Sequence, residues 1–543
     1  MAKNSVKSAI QDFSRVVHAD IPRATFRRPS TLITTLNAGE LVPVYIDEIL
    51  PGDTYKMSLQ HVARLITPIV PVMDNIKLEF FAFFVPNRIV WTNWQKLQGE
   101  NNSSAWTPSA PPAGVPKFNS AGTQTELLLG DYYGIPKGLN FAYHGVNTLP
   151  FRGYRKIWND WFRNQNVQAP VLEYSGDTGE TAGVTANMAL LKVNKPFDYF
   201  TSCLPAPQKG DSQLIPIELN ELIPVITDQD DAITGERTAM RIRGSSTGST
   251  QNSKNLGTDS SGNARAETLT QGTPTEAIYP SNLWANPAGL QLNATTISDL
   301  RTAFQIQKLY ERDARGGTRY IEMLKSHFGV DAGDYRLQRP EFLGHTSGYV
   351  DIQQVPQTSE TTTTPQGNVA AYGHSQGDDF LFNKSFVEHG FLHIFVVARH
   401  AKTYQQGLER FWSRQDRLDY YLPVLAHISE QPVYQKEIYA LANNPATVFG
   451  YQEAWSEYRY KPNTVTAQMR QDATIHFEMW HFADRYSTAP TLSDAWMQDN
   501  SYTNLQRILA VQTGQQIKLN CRFDLEATRP IPVNSIPGLI DHF

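Results

Sequence analysis

His389 and His393 stand four residues apart with Glu388 beside them, the nearest the sequence comes to a metal-ligand spacing. A zinc protease of the His-Glu-x-x-His kind needs its glutamate directly after the first histidine, on a helix. Here that place is Gly390 and the surrounding run is β-like, so the pair reads as structural histidines at the start of a strand. His476 and His481 are a weaker pair still. Arg315-Gly316-Gly317-Thr318 is Gly-rich but lies between two helical patterns. A phosphate cradle follows a strand, so this is a tight helix–helix turn. No Gly-x-x-x-x-Gly-Lys-Ser/Thr loop occurs, and no nucleophile elbow is expected, which leaves serine hydrolysis without support.

Two segments have the residue types to touch nucleic acid. Residues 1–30 carry Lys3, Lys7, Arg15, Arg23, Arg27 and Arg28 against only Asp12 and Asp20, with no sustained apolar period and with Pro22 and Pro29 interrupting. This reads as an extended basic arm, the plainer reading being a frayed terminus with solvated charges. The segment Arg152–Arg163 alternates cations with Tyr and Trp, a combination that binds single strands by neutralisation and stacking. Yet Phe151, Tyr154, Ile157, Trp158, Trp161 and Phe162 fall on one helical face, with Arg152, Arg155 and Lys156 off it. That period favours an amphipathic helix packed into a core.

The whole-chain balance narrows the choice. A formal charge of −5 excludes a protein that coats phosphate with its entire surface. Cys203 and Cys521 are the only cysteines in 543 residues, which gives neither a disulfide framework nor a four-cysteine zinc site. They fit a reducing compartment, with a Cys203–Cys521 pairing left open. The start has no apolar core of the signal-peptide kind. The longest apolar run, Phe80–Val85, is ended by Pro86, far short of a membrane span. The expectation is synthesis in the cytoplasm, with no membrane insertion.

The elements that position these residues are mostly strands. Leu41–Ile46 is β-rich and Pro51-Gly52-Asp53 is a turn. Tyr55, Met57 and Leu59 alternate with Lys56, Ser58 and Gln60, as on a strand with one buried face. Leu78–Val85 reads as a strand buried on both faces, and Phe391–Val397 as a second apolar strand. Ile517, Leu519, Cys521, Phe523 and Leu525 give the cleanest period of two. Helical patterns fall at 151–162, from a Ser298 cap to Tyr310, and at 320–328. Residues 211–297 hold two aromatics, Tyr279 and Trp284, and read as a polar insertion into one domain. Strands at both ends of the chain with partly helical excursions between them predict a mainly β sandwich closed by its own termini.

Longer words of the sequence are then familiar. Pro51-Gly52-Asp53-Thr54, Phe83-Phe84-Val85-Pro86-Asn87-Arg88 with Trp91, and Pro150-Phe151-Arg152-Gly153-Tyr154 resemble gokushovirus major capsid proteins. So do Asp198–Pro205, the block Glu311–Tyr320, Gln338–Glu341, Glu388-His389-Gly390, Tyr404–Gly407, Val448–Tyr451 and Pro537–His542. The blocks run in order from about residue 26 to the end. The resemblance implies an eight-stranded antiparallel viral jelly roll over 31–543, two four-stranded sheets face to face. It also implies that 211–297 is a surface projection near the threefold axis of a T=1 icosahedral shell around circular single-stranded DNA. Implied partners are further copies of the chain, the viral DNA, a small basic DNA-binding protein, a minor pilot protein and a host surface receptor. No cofactor or enzymatic activity is implied, and the protein is expected in the virion after synthesis in the host bacterium. The basic arm is then expected inside. The rivals are a jelly-roll carbohydrate-binding protein or glycosidase, for which no carboxylate pair can be nominated from spacing, and a receptor-binding spike carried on another shell.

Overall fold

The computed structural model describes chiefly residues 22–100, 114–119, 122–178, 188–207, 338–441 and 446–534, with short strands and one helix between 218 and 316. Its contacts divide the chain into two units, residues 1–207 with 317–543, and residues 208–316.

In the first unit the alternating segments form the strands their pattern requires. They are β1 (Ala24–Arg27), β2 (Ser30–Leu36), β3 (Val42–Ile49), β4 (Thr54–Leu65), β5 (Ile76–Pro86), β6 (Glu341–Pro356), β7 (Val369–Ser385), β8 (Gly390–His400), a small hairpin of β9 (Glu430–Tyr434) and β10 (Val448–Glu453), and β11 (Ile517–Arg529). The main sheet has the order β1-β11-β4-β7-β6-β5-β8-β3, with β2 also paired to β11. Every pairing in it is antiparallel. Because the last long strand lies beside β1, β2 and β4, the two ends of the chain close the sheet together. Gly52 makes the β3–β4 turn at φ 88°, a region that glycine enters without the Cβ clash other residues suffer.

The sheet doubles over at β6. Residues 341–350 of that strand pair with β5, and 351–356 with β7. The two expected four-stranded layers are therefore halves of one curled hydrogen-bonded path. Tyr55, Met57 and Leu59 of β4, with Leu519, Cys521 and Phe523 of β11, share a core with Leu78 and Phe80 of β5 and Ile394 and Val396 of β8. Ring contacts cross the sandwich directly, Tyr45 to Phe523 at 4.8 Å and His61 to Phe80 at 4.9 Å. This is a jelly-roll β-sandwich, as the sequence predicts.

The unbroken apolar run of β5 has a specific cause. Leu78, Phe80 and Ala82 face the sandwich, while Phe83 and Val85 face a second core with Phe395 and Val397 of β8. That second core is completed by α1 (Leu149–Ile157) and the π-helical turn Trp158–Phe162 that continues it. A Cβ on Gly153 would lie 2.9 Å from Nε2 of His393, so the helix approaches the strand closely only because that residue is glycine. Arg152 and Arg155, expected on the solvent side, are buried. Arg152 donates to Glu180 at 3.1 Å and to the carbonyls of Val90, Gly176 and Thr178 at 2.9–3.3 Å. The periodicity located the aromatic face, but a covering segment encloses the opposite one. Trp161, assigned to the core, is half open and donates to the Pro340 carbonyl.

In the second unit, short antiparallel ladders join Arg241–Gly244 to Lys254–Thr258 and to Ile278–Pro280, Val225–Thr227 to Leu283–Ala285, and Glu218–Leu219 to Leu292–Asn293. The helix α2 (Ile297–Gly316) begins one residue before Ser298, so that serine is helical instead of the expected cap. The helical pattern at 320–328 and the turn beyond Gly316 lie outside the described residues, apart from Ser326. Among the described residues no helix is long and apolar enough to cross a membrane.

Candidate interaction surfaces

Of the six basic arm residues, Lys3, Lys7 and Arg15 lie outside the described residues. Arg27, at the end of β1, reaches Asp524 of β11 at 3.2 Å. Arg28 grips Asp47 with both terminal nitrogens, at 2.5 and 3.2 Å, and that hydrogen bond raises its pKa. Arg23 lies over the turn at Gly52. Arg27 and Arg28 thus fasten the chain start to the sheet edge, at modest strength for exposed pairs. A basic row on the same layer escapes sequence reading because only register reveals it. Lys518 pairs with Arg64, and Arg64 with His374, across β11, β4 and β7. Lys518 and Arg64 are exposed, and such like-charged neighbours repel unless an anion covers them.

A second surface is built by the irregular segment after β8. It forms three 3₁₀ turns, Arg410–Ser413, Arg417–Asp419 and Pro423–Leu425, and ion pairs anchor the first of them from beneath. Arg410 lies 3.5 Å from Glu437 and 3.8 Å from Glu457, Arg414 lies 3.0 Å from Glu457, and Lys461 lies 2.6 Å from Glu409. On one side of Arg410 and Arg414 is a cavity of about 280 Å³, lined by Tyr199, Phe411, Tyr458 and Tyr460 among others. Another, of about 330 Å³, lies on their other side against Leu418, Tyr434 and Trp455.

The first cavity is also lined by the carboxylates Glu409, Glu437 and Glu457. Burial raises the pKa of Glu437, but one of its oxygens accepts from the Tyr434 amide at 3.0 Å and the other from the Tyr199 hydroxyl at 3.0 Å. Glu457 serves both arginines. Both carboxylates are thus held by partners of the same chain.

Two further clusters have chemical types without chemical access. Gly373-His374-Ser375-Gln376-Gly377 has the Gly-x-Ser-x-Gly spacing of a nucleophile elbow, which corrects the expectation that none is present, and Oγ of Ser375 is 3.3 Å from Nε2 of His61. An elbow is a sharp strand-to-helix turn at the surface, whereas these residues lie mid-strand in β7 with both side chains buried. At the end of β8, Lys195, His400, Lys402, Asp484 and Asp499 form a buried ionic cluster. Asp484 lies 3.7 Å from Lys195 and Asp499 lies 3.4 Å from Lys402. Burial alone would push the Asp484 carboxyl up, but Lys402 and Lys195 outweigh it and hold the pKa at about 2. Burial pushes Lys195 down to about 8 and, helped by Lys402, His400 down to about 4. These groups offset one another's charge and act as a structural lock.

His393 is fully buried, its Nδ1 3.2 Å from the Tyr133 hydroxyl, while His389 packs its ring against Trp94. The two do not converge. Among the described residues no three His, Cys, Asp or Glu side chains are placed to hold a metal ion. Cys203 and Cys521 are free and buried. Burial raises both thiols, Cys521 to about 12, so neither is reactive.

What remains is a sandwich with elaborate surfaces and no assembled catalytic centre among the described residues. The comparisons agree with that picture. Residues 14–539 match the family described as capsid protein (F protein). The chain is 40% identical over 560 residues to the capsid protein VP1 of Spiroplasma virus 4, covering 99% of each. It is 37% identical over 587 residues to VP1 of Chlamydia phage 1, covering 97% of each, and 38% identical over 541 residues to VP1 of Bdellovibrio phage phiMH2K, covering 98% of each. With nearly the full length matched on both sides and the jelly roll in place, the chain belongs to the capsid protein (F protein) family.

Proposed function

We propose that copies of this chain assemble into a T=1 icosahedral shell enclosing circular single-stranded DNA. The single observation that carries this reading is the end-to-end likeness to capsid proteins VP1, on a chain whose mainly β sandwich has no assembled catalytic centre among the described residues. Association is driven by apolar contact between neighbours, with polar rims setting register, and closed symmetry makes each weak contact count many times. The net charge of −5 fits a division of labour in which a small basic protein of the virion supplies most of the neutralisation and a minor pilot protein accompanies it. The arm at 1–30, with Lys3, Lys7, Arg15 and Arg23, lies inside and adds to that contact, joined by the exposed Lys518 and Arg64. Residues 211–297 form a projection near the threefold axis that meets the host surface receptor. The chain is made in the host bacterial cytoplasm.

Particles recovered from producing cells are expected to protect circular single-stranded DNA from nuclease. Deleting residues 1–22 should lower the DNA content per particle, read as the ratio of absorbance at the nucleic-acid and protein maxima. Unchanged DNA content would remove the arm from the packaging account, and nuclease-sensitive or DNA-free particles from the full chain would remove the enclosure itself.

A further inference from the structure

Within residues 411–421 of the first unit, and at Tyr458 beside them, the chain leaves large apolar side chains open: Phe411 is 46% exposed, Trp412 69%, Leu418 71%, Tyr420 53%, Tyr421 44% and Tyr458 53%. They are contiguous. Phe411 and Trp412 have ring centroids 4.8 Å apart, and Tyr421 and Tyr458 6.2 Å. The Arg414 guanidinium lies over both Tyr420 and Tyr458. Phe411 and Tyr458 line one cavity and Leu418 the other. Soluble proteins seldom leave so much contiguous apolar surface in water without a partner.

We infer that this face is a contact between neighbouring copies of the chain in the shell, an inference that rests on the shell reading above. Three observations favour a second copy as the occupant. The first is area. The open parts of the five rings amount to more than two and a half whole rings, or roughly 500 Å² at about 200 Å² a ring. That is well over half of the ~800 Å² each partner contributes to a standard interface, before Leu418 is added. The second is charge. Arg410, Arg414 and Lys461 are matched by Glu437, Glu457 and Glu409 of the same chain, so the face offers little to a polyanion or an anionic membrane and suits a near-neutral protein. The third is preparation. The ion pairs hold the first turn, and the Trp455 indole, which donates to the Leu425 carbonyl at 2.9 Å, holds the third before any partner arrives, which lowers the ordering entropy of association. Exposed Trp and Tyr rings against Arg, beside cavities able to take a side chain, are also the composition of interface hot spots. In this arrangement the rings and Leu418 of one copy fill a depression of its neighbour, and the two cavities are closed from water on assembly.

The test is shell yield in cells producing the full chain with its accompanying virion proteins, for the unsubstituted chain, the Trp412→Asp/Leu418→Asp variant and the conservative Trp412→Phe. The expected result is a drop of about tenfold or more in shell yield for the double variant, with an unchanged melting midpoint of the unassembled protein and near-normal yield for Trp412→Phe. Normal shells from the double variant would overturn the inference while leaving the shell reading intact. No shells from the unsubstituted chain would overturn the shell reading and this inference with it. Hydroxyl-radical footprinting supplies a readout that no folding defect can mimic. Trp412, Tyr420 and Tyr458 should be labelled in unassembled protein and several-fold protected in shells, and equal labelling in both would also overturn the contact.

Discussion

Asp484→Ala is expected to lower the stability of the unassembled protein by about 3–5 kcal/mol, the range for breaking a buried ion pair by removing one partner. Asp484 is fully buried and accepts from Asn500 at 2.9 Å, Asn504 at 2.8 Å and Tyr486 at 3.1 Å, while facing Lys195 at 3.7 Å. Its loss leaves two buried ammonium groups, Lys195 and Lys402, with Asp499 as the remaining carboxylate of the cluster, and orphans the amides that pointed at it. The sign with pH follows. Lys195 is already pushed down to about 8 by burial, and removing its counter-charge pushes it further. The variant therefore recovers stability as pH rises and the neutral amine becomes the buried form. Urea midpoints at pH 7 and pH 9 check both parts, and a variant within 1 kcal/mol of the parent at pH 7 contradicts the lock.

Acidification from pH 7 to pH 5 is expected to remove roughly 4 kcal/mol from the unassembled protein through two histidines. Burial pushes His393 down to about 3 and His400 to about 4, against about 6.5 in an unfolded chain. The folded state thus holds both rings neutral while the unfolded state takes up protons as pH falls through 6.5. Their contribution is fully present above that value and is lost below it, at about 2 kcal/mol per ring by pH 5. Glu40, Asp53 and Glu437, whose carboxyls burial raises, act in the opposite sense, while His61 and His345, which burial also lowers, add to the loss. His393→Leu should lower the slope of stability against pH by that ring's share, about 2 kcal/mol between pH 7 and pH 5. An unchanged slope would show that the ring is not held neutral.

Legibility in the sequence followed the range of the interactions. The alternation of β4 and β11 comes from single residues meeting one core, so a period of two predicts both strands and their buried sides. The burial of β5 on both faces was legible because each half of its apolar run had to meet something, although what it meets, α1, was not. Arg152 was misplaced because helical periodicity treats every cation as solvated, and its partner Glu180 lies 28 residues on with no local signal. The lock joins residues 195, 400, 402, 484 and 499, a constellation no spacing rule finds. The aromatic face at 411–421 is the same problem inverted, since its composition is that of a core and only the fold shows it lies open. The basic row of Lys518, Arg64 and His374 exists only in the register of three strands far apart in the chain.

The central claim is that this chain builds a closed shell, and negative-stain electron microscopy of the full chain produced together with its virion proteins tests it most directly. Uniform icosahedral particles a few hundred ångströms across, on the order expected for a single-layer T=1 shell, with knobs on the threefold axes, are the predicted result. Small discrete oligomers alone, under conditions where the protein is folded and abundant, would contradict it.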